Sequence, residues 1–528
     1  MSRGGWLVPA PNGAQPAGLA ETRLTANPWT GASTPAWRRR LLWLMVVHLS
    51  VWTLLPVLLY ANAPLDVVEI VAWGRTWQWG YDKHPPLPSW VAEGAANLGG
   101  QYAANLIYLL SQLSVVASFA AVWWTALRLL GPAGAFVSVF VLEATSFHTW
   151  VTMEWNHAVA VLPWIALAVM SWLRALETGR LGWWLMLGAA VGVGMLCKYL
   201  IGLVAAGMLV FHLIYGFARR HLRGPGPYLA AAVAALVVLP HVLWVIDHDF
   251  TTLTYAMRRA RSGPGAGHLL NPLQFVAGQA ANVGLLFVVV APLLRWPLRW
   301  CRLGPAMAQA RAALAFAVLG PIVLLLLFSL VSGRQLNTAW GMPFYSMLGL
   351  LVLLALETRA NGRALRRAVA LALLVAVVNV GIAAGKSVLG PLRGKASRTH
   401  FPGRELADQV TAIWHERHGT SLQHVAGERW IVDNVSFYSL DRPLVIVSRD
   451  LWNSELDLAA NAWTSVEDFR RRGGVLLWYA DREGLALPPS LRQHFPGALV
   501  LKPLVLPYRT WFEVEPVRVG VAVVEPRQ

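Results

Sequence analysis

Long apolar runs separated by short arginine-rich stretches make up most of the first 390 residues of this 528-residue chain. An α-helix needs roughly 17 to 25 apolar residues to cross the hydrocarbon core of a bilayer, and runs close to that length recur. The pattern predicts a polytopic α-helical membrane protein with eleven transmembrane helices, near residues 41–61, 104–126, 133–150, 158–173, 183–196, 201–217, 228–246, 275–294, 312–331, 342–356 and 368–385.

Arginines in alternate loops give the predicted orientation of these helices. Residues 38–40 are all arginine and precede the first helix, and every second connection after it is again rich in arginine. Because positive residues stay on the cytoplasmic side, the N-terminus is predicted to be cytoplasmic and loop 62–103 to face outward. An odd number of helices then places residues 391–528 on the outer side. That number depends on dividing residues 183–217 into two short helices around Lys198.

The last part of the chain has a different pattern. Residues 401–419 have helical periodicity, whereas the runs PLVIVSR, GGVLLWYA, ALVLKPLVL and GVAVVE are rich in β-branched residues and bounded by turn residues. Strands that alternate with helices are typical of a small α/β domain. The predicted organisation is a disordered cytoplasmic N-terminus (1–40), a transmembrane domain (41–388) with the outer loop 62–103, and a soluble α/β domain (391–528).

Composition and charge narrow the function classes. The chain is 56% hydrophobic and only 13% charged, which is outside the range of ordinary soluble proteins. Its net charge is +17, yet basic and acidic residues nearly balance in residues 391–528. The basic excess therefore belongs to the loops between helices, where it orients them. No nucleic-acid partner is predicted, and membrane lipids are the expected surroundings.

Acidic residues are scarce before residue 391, and Asp66, Glu69 and Asp82 all fall in the first outer loop. An ionisable residue at a membrane is a functional candidate because its burial is costly. Asp66 and Glu69 are three positions apart and would share one face of a short helix. One would act as a general base while the other binds or orients a substrate. The alternative is that both solvate the loop or cap a helix.

A rigid basic turn, GYDKHPP at residues 80–86, follows in the same loop. Its two prolines would hold Lys83 and His84 in a fixed, extended presentation. A lysine and a histidine at a membrane surface suit the phosphate of a lipid-linked substrate. Lys198, a lone charge at the end of an apolar run, would pair with a phosphate or with a loop carboxylate. For both lysines the alternative is a side chain that only extends to the lipid headgroups.

Polar residues near the first loop are predicted to complete a substrate site. Segment 149–157 would lie beside that loop if the early helices pack together. The substrate-binding candidates are Tyr81, Asp82, Glu154, Asn156, His157 and Tyr199.

Arginines on the predicted outer side are further candidates for binding phosphate. Arg258, Arg259 and Arg261 run against the positive-inside trend, as expected of a segment that binds an anionic lipid or phosphate. A mobile surface loop is the alternative. Arg334 lies in another outward turn, and Arg258, Arg259 and Arg334 are the predicted additional contacts to a donor phosphate.

A first helix, an outer loop with an early acid, the tripeptide WGY and a Lys-His-Pro-Pro-Leu turn together resemble bacterial GT-C glycosyltransferases of the protein O-mannosyltransferase type. The likeness covers roughly residues 41–356, and it extends to the lipid A aminoarabinose and galacturonic acid transferases. It implies an inner-membrane enzyme that moves a sugar from a polyprenyl phosphate carrier to a periplasmic acceptor. It also implies that Asp66 activates the acceptor while the basic turn holds the donor phosphate.

Two departures from the family pattern bear on these roles. Two valines separate Asp66 from Glu69, where the family often has adjacent acids, and His84 precedes Pro-Pro where a lysine is common. The first departure leaves the base open between Asp66 and Glu69. The second leaves the phosphate contact open between His84 and Lys83.

The sequence-based hypothesis is an inverting membrane glycosyltransferase with a polyprenyl-phosphate-sugar donor and a lipid A, glycolipid or envelope-glycan acceptor. Lys83, His84 and Lys198 would neutralise the leaving phosphate. No metal-ligand spacing of Cys and His is present, and a divalent ion among the clustered acids is left open. One rival is a transporter or flippase of a lipid-linked anionic substrate. The other is a non-catalytic membrane scaffold that displays the α/β domain.

Overall fold

Helices account for most of the chain up to residue 392 in the computed structural model, which describes residues 34–259, 267–359, 361–448, 451, 464–483 and 486–527. The helices of this part are α1 (Thr34–Leu59), α2 (Leu65–Gly74), α3 (Leu87–Gly99), α4 (Ala103–Phe140), α5 (His157–Ala160), α6 (Leu162–Thr178), α7 (Leu181–Cys197), α8 (Ile201–Ile214), α9 (Gly216–Arg219), α10 (Gly226–Asp247), α11 (Thr251–Arg259), α12 (Gly267–Val290), α13 (Pro305–Ser332), α14 (Leu348–Ala355) and α15 (Gly362–Leu392).

The N-terminal region is described only from Thr34 onward. Residues 34–40 belong to α1, so this helix begins before the predicted apolar run. The rest of the predicted disordered N-terminus, residues 1–33, lies outside the described residues, as does Arg261.

Each apolar run that the sequence predicts as a membrane span falls wholly or largely on helical structure. Within the described residues, seven helical stretches are long and apolar enough to cross a membrane. The number becomes eight if Ile201–Ile214 and Gly216–Arg223, which are bent by 105°, form one span. Leu181–Cys197 and Met342–Ala355 are shorter apolar helices. The protein is therefore a multi-pass membrane protein, and the count of eleven spans stays a prediction.

Two features explain why length alone gives fewer spans than the apolar pattern. Gly131 kinks α4 with a φ of 79°, and Pro132 follows it, so two predicted spans lie in one continuous helical stretch. A positive φ is accessible to glycine because glycine has no Cβ, and proline cannot continue the hydrogen-bond ladder. The predicted division of residues 183–217 also appears, since Lys198 separates α7 from α8.

A mixed sheet flanked by helices forms the C-terminal α/β domain. Its described strands are β1 (His424–Glu428), β2 (Leu444–Ser448), β3 (Gly474–Tyr479), β4 (Leu499–Val500), β5 (Leu504–Leu506) and β6 (Val517–Val524). Its described helices are α16 (Gly403–His418), α17 (Arg429–Tyr438), α18 (Val466–Arg472), α19 (Ala480–Glu483) and α20 (Pro489–His494).

The strand order is β2-β1-β3-β6-β4, with β5 also paired to β6. Strands β2, β1 and β3 are parallel, and β6 runs antiparallel to its neighbours. All four runs predicted from the sequence are strands. The first strand, β1, was not predicted, although its burial on both faces is usual for a parallel strand.

The C-terminal domain is docked on loop 62–103 and the residues just before it. The backbone N–H groups of Ala61 and Asn62 both donate to the Thr399 carbonyl, at 3.0 Å. The Tyr438 hydroxyl accepts from the N–H of Ala63 at 2.7 Å. Through these contacts α17 lies directly against α2, the helix that carries Asp66 and Glu69.

Candidate active site

Helix α2 presents two carboxylates from a short amphipathic segment that follows Pro64. Asp66 lies in the first turn, where the positive end of the helix dipole favours an acid. Glu69 follows one turn later and is buried. The predicted short helix is therefore present, but the two acids have different neighbours.

Glu69 is held by two cations. Its Oε1 accepts from the Lys83 ammonium and, at 2.9 Å, from Nη1 of Arg429. The other terminal nitrogen of Arg429, Nη2, donates to Oδ2 of Asp82 at 3.2 Å. Burial alone would raise the pKa of Glu69, but the charges of Lys83 and Arg429 outweigh it and hold this pKa below its usual value. The Glu69 carboxylate is thus ionised and paired with two cations.

Asp66 differs from Glu69 in having no ion-pair partner. Within the described parts of the chain, its carboxylate makes no hydrogen bond or ion pair, and the side chain is surrounded by protein yet half-exposed. Burial, and then the charge of Glu69, raise the pKa of Asp66 to about 6. A carboxylate with a raised pKa and an open face is a better proton acceptor than one locked in ion pairs.

Glu154 is a further acid beside Asp66. Its Oε1 accepts from the backbone N–H of Asp66 at 2.8 Å, so the predicted approach of segment 149–157 to the first loop does occur. Burial, and then the neighbouring Asp66, raise the pKa of Glu154. The negative charge of Asp66 therefore disfavours ionisation of Glu154.

A polar network between helices fixes the segment that carries Glu154. Nδ1 of His48 lies 2.8 Å from Oε1 of Glu143, and Nε2 lies 3.2 Å from Oε1 of Gln112. Gln112 in turn donates to the carbonyl of Thr152 at 2.7 Å. Because Glu154 is only two residues further along, this network sets its position relative to Asp66.

Lys198 caps the end of α7 and lies half-buried without an ion pair among the described residues. Burial lowers the pKa of its ammonium to about 8, and Asp66 acts in the opposite direction by favouring the charged form. Asp66 and Lys198 are therefore near enough to influence each other's charge. Both remain available to a substrate.

The basic turn is held by contacts with its neighbours. The N–H of Tyr81 donates to the carbonyl of His84 at 3.1 Å, and the Tyr81 ring stacks on Trp73 with centroids 5.5 Å apart. The rings of His84 and His157 lie 4.0 Å apart. These contacts bring Lys83, His84, Tyr81 and His157 into one cluster around Trp73.

Helix α11 lies against this cluster. The ring of Tyr255 is 6.0 Å from His84 and 5.9 Å from the Lys83 ammonium. Met257 also lies in α11, and its carbonyl accepts from Nη1 of Arg334 at 2.5 Å. Arg334 thus lies beside α11. The side chains of Arg258 and Arg259 lie outside the described residues.

Asn156 and Tyr199, two further residues predicted to bind substrate, form hydrogen bonds within the protein. Asn156 caps α5 by accepting from the N–H groups of Ala158 and Val159, at 2.9 and 3.2 Å. The hydroxyl of Tyr199 lies 2.6 Å from Nε2 of His241 and donates to Oγ1 of Thr252 at 2.9 Å. Their predicted roles in substrate binding stay predictions.

Sequence reasoning missed the contribution of the C-terminal domain. Arg429 and Asp433 lie one turn apart on α17 and both point toward the paired acids of loop 62–103. Asp433 is fully buried, neither of its carboxyl oxygens has a hydrogen-bond partner in the described residues, and burial raises its pKa well above the usual value. No local pattern distinguishes these residues from others of an ordinary α/β domain.

The site divides into a paired side and an open side. The paired side consists of Glu69, Asp82, Lys83 and Arg429, and the open side consists of Asp66, Glu154 and Lys198. Among the residues that the structure describes, no three His, Cys, Asp or Glu side chains are grouped to hold a metal ion. The arrangement offers one accessible base beside several cations, which suits proton removal next to a phosphate.

Known proteins resemble this chain in sequence. Residues 83–244 match the family of dolichyl-phosphate-mannose-protein mannosyltransferases. The lipid A galacturonosyltransferase RgtD of Rhizobium johnstonii is 27% identical over 268 residues, 49% of this chain and 53% of RgtD. The match thus spans about half the length of that relative. The lipopolysaccharide core galacturonosyltransferase RgtB of the same organism is 25% identical over 483 residues, 86% of this chain and 91% of RgtB.

Solved structures resemble the fold. The crystal structure of ArnT from Cupriavidus metallidurans bound to undecaprenyl phosphate has a TM-score of 0.59 at 16% identity, and the match covers 94% of this chain and 99% of ArnT. Arabinofuranosyltransferase AftD from Mycobacteria has a TM-score of 0.51 at 15% identity over 95% of this chain and 40% of AftD. The predicted resemblance to GT-C glycosyltransferases is confirmed, and with it the predicted fold class of a polytopic helical membrane protein with a C-terminal α/β domain.

Proposed function

We propose that this protein is an inner-membrane glycosyltransferase that moves a sugar from a polyprenyl-phosphate carrier to lipid A, another glycolipid or an envelope glycan. The observation that carries the proposal is the open carboxylate of Asp66 beside the cations of Lys198 and the basic turn. The names of the curated relatives and the carrier lipid bound to ArnT support the choice of acceptor and donor.

In the proposed reaction Asp66 removes a proton from an acceptor hydroxyl, whose oxygen attacks the anomeric carbon of the donor sugar. The bond from that carbon to the phosphate oxygen breaks, and the carrier leaves as polyprenyl phosphate. Lys83, His84 and Lys198 stabilise the negative charge that grows on this leaving group. A single displacement inverts the configuration at the anomeric carbon, and it needs one base.

The contrast between the two acids of α2 supports Asp66 as that base. Glu69 is already neutralised by Lys83 and Arg429, and its lowered pKa makes it a poor proton acceptor. Freeing Glu69 would leave its two buried cations without their partner, which is costly. Asp66 can accept a proton without breaking an ion pair among the described residues.

The proposed orientation places loop 62–103 and the C-terminal domain on the periplasmic side and the N-terminus in the cytoplasm. The arginine-rich alternate loops support it, and the contacts of the domain with Ala61, Asn62 and Ala63 require both parts to lie on the same side. Alkaline phosphatase fusions after Gly100 and after Arg404 should both be active. Opposite results at the two positions would overturn the orientation.

Purified enzyme incubated with synthetic polyprenyl phosphates that carry galacturonic acid or aminoarabinose, and with lipid A as acceptor, tests the reaction directly. We expect one donor to yield a glycosylated lipid A or core acceptor by mass spectrometry, with release of polyprenyl phosphate. Envelope glycolipids from a deletion strain should lack the same sugar. If the protein instead moves the labelled donor across liposomes without transferring the sugar, it is a flippase and the proposal fails.

A further inference from the structure

Arg429 spans two acids of the first loop from a domain that begins more than three hundred residues later. It contacts Glu69 through Nη1 at 2.9 Å and Asp82 through Nη2 at 3.2 Å, and it is itself nearly buried, with 9% of its surface exposed. A planar guanidinium can satisfy two acceptors at once, which an ammonium cannot do with the same geometry. Its place is therefore fixed by both acids together.

Lys83 has two possible partners, the Glu69 carboxylate and the proposed donor phosphate. In this structure its ammonium is paired with Glu69, yet the proposed donor phosphate requires the same charge. Removing Lys83 from a buried carboxylate ordinarily leaves an uncompensated charge, which is strongly unfavourable. A site in which Lys83 were the sole partner of Glu69 would therefore resist donor binding.

The second cation on Glu69 removes this obstacle. Oε1 of Glu69 accepts from both Lys83 and Arg429, so Glu69 keeps a partner when Lys83 turns away. Asp82 also keeps its bond to the other nitrogen of Arg429. Arg429 is bound to both Glu69 and Asp82, so Lys83 is the cation of the two that can move to a ligand.

We propose that Arg429 is a positioning residue: it holds Glu69 and Asp82 so that Lys83 can leave Glu69 and bind the donor phosphate. This inference rests on the proposed function, because it takes a polyprenyl phosphate as the ligand. Arg429 touches no reacting atom in this scheme. The C-terminal domain thereby becomes part of the donor site and not only a domain docked beside it.

Asp433 is consistent with this division of roles. It lies on α17 one turn from Arg429, and as a buried carboxyl without a hydrogen-bond partner in the described residues it favours the neutral form. A neutral Asp433 does not compete with Glu69 and Asp82 for the guanidinium. Arg429 therefore stays directed at the first loop.

Binding of polyprenyl phosphate alone to the purified full-length protein, measured by titration in detergent, tests the inference without requiring turnover. In Arg429→Gln, Lys83 is the remaining partner of Glu69, and we expect the Kd to rise by about tenfold or more. In the double variant Arg429→Gln with Glu69→Gln, Lys83 is no longer held by a carboxylate. We expect this second change to restore most of the lost affinity.

Matched variants separate positioning from folding. Arg404→Gln removes a different arginine of the same domain, one that donates to the carbonyl of Gln101 in loop 62–103, and it should leave the Kd unchanged. Arg429→Lys keeps one charge but cannot bridge both acids, so an intermediate Kd is expected. Glu69→Gln alone frees Lys83 with Arg429 intact, and it should bind phosphate at least as tightly as the wild type.

Two results would overturn the inference. One is an unchanged Kd in a folded Arg429→Gln protein, and the other is a double variant that binds no better than Arg429→Gln. If Arg429→Gln does not fold, weaker binding in Glu69→Gln than in wild type overturns it instead. Sugar transfer by the wild type is assayed in parallel, so that absence of transfer with intact phosphate binding counts against the proposed reaction and not against Arg429.

Discussion

The paired side and the open side of the site each include one acid of α2, Glu69 and Asp66. The two acids nevertheless have opposite electrostatic surroundings. On the paired side, Glu69 and Asp82 are buried with Lys83 and Arg429, and the charges cancel within the protein. On the open side, Asp66 and Lys198 are half-exposed, and neither has an ion-pair partner among the described residues. The difference shows that acids of one loop can serve structure and chemistry separately, according to which cations reach them.

The comparison also explains why residue type and spacing alone do not identify the base. Asp66 and Glu69 differ by one methylene group and three positions, and either could accept a proton in isolation. The C-terminal domain breaks this equivalence because Arg429 reaches Glu69 and not Asp66. The charges of Lys83 and then of Arg429 lower the pKa of Glu69, whereas burial raises the pKa of Asp66.

The largest expected effect is that of Asp66→Asn, which removes the base from the open side and keeps its size. We expect kcat to fall by about a thousandfold, within the range for a lost general base, with little change in the melting temperature. Steady-state transfer assays with the purified enzyme measure this. The matched control is Asp247→Asn, an exposed acid at the end of α10, which should retain full activity. A fully active Asp66→Asn would move the chemistry to Glu69.

A second variant tests whether docking of the C-terminal domain depends on buried pairs. Arg442 pairs with the buried Glu93 of α3 and also donates to Asn97. Arg442→Ala leaves Glu93 with a hydrogen bond from Asn97 but without its ion-pair partner, and it should destabilise the docked state by about 2 kcal/mol, seen as a lower melting temperature and faster proteolysis.

The matched control for Arg442→Ala lies on the surface of the same domain. Arg471 forms an ion pair with Asp468, and 69% of its side chain is exposed. Arg471→Ala should change the stability by less than about 0.5 kcal/mol, because exposed pairs contribute little. Equal effects of the two substitutions would show that the Glu93 pair is not important for docking.

The smallest predicted effect tests how Lys198 influences the pKa of Asp66 on the open side. Asp66 has a pKa of about 6, so its base form is present above that pH and is lost as the pH falls through it. Lys198 lowers this pKa, and Lys198→Met should therefore shift the acid limb of the kcat/KM profile to higher pH. The shift of the limb reports this coupling, whereas loss of the proposed contact to the leaving phosphate lowers the plateau of the profile. Lys502→Met, a change at an exposed lysine, should leave the profile unchanged. A shift to lower pH would contradict the predicted coupling.

Much of the fold could be predicted from local patterns. Apolar run length placed helices at the predicted spans, and β-branched runs bounded by turn residues placed β2, β3, β5 and β6. The lone Lys198 between two apolar runs marked the break between α7 and α8. These features depend on neighbours in sequence, which is why the sequence alone reveals them.

The ion pairs and hydrogen bonds of the site could not be predicted in the same way. Arg429 is one arginine among many, and its importance comes from a contact with Glu69 that spans 360 positions. The assignment of Asn156 as a helix cap likewise depends on where α5 begins, which the sequence did not show. Contacts between residues that are distant in sequence decide whether an acid forms an ion pair. Local sequence patterns do not show which distant residues come into contact.

The place of Arg429 so late in the chain also governs how the protein is made. When the first helices enter the membrane, residue 429 has not yet been synthesised, so Glu69 can pair with Lys83 of its own loop but not with Arg429. The described ion pairs of the paired side are complete only after α17 is translated, folded and docked on α2. A chain that stops before α17 would therefore carry Glu69 and Asp82 without the guanidinium that bridges them.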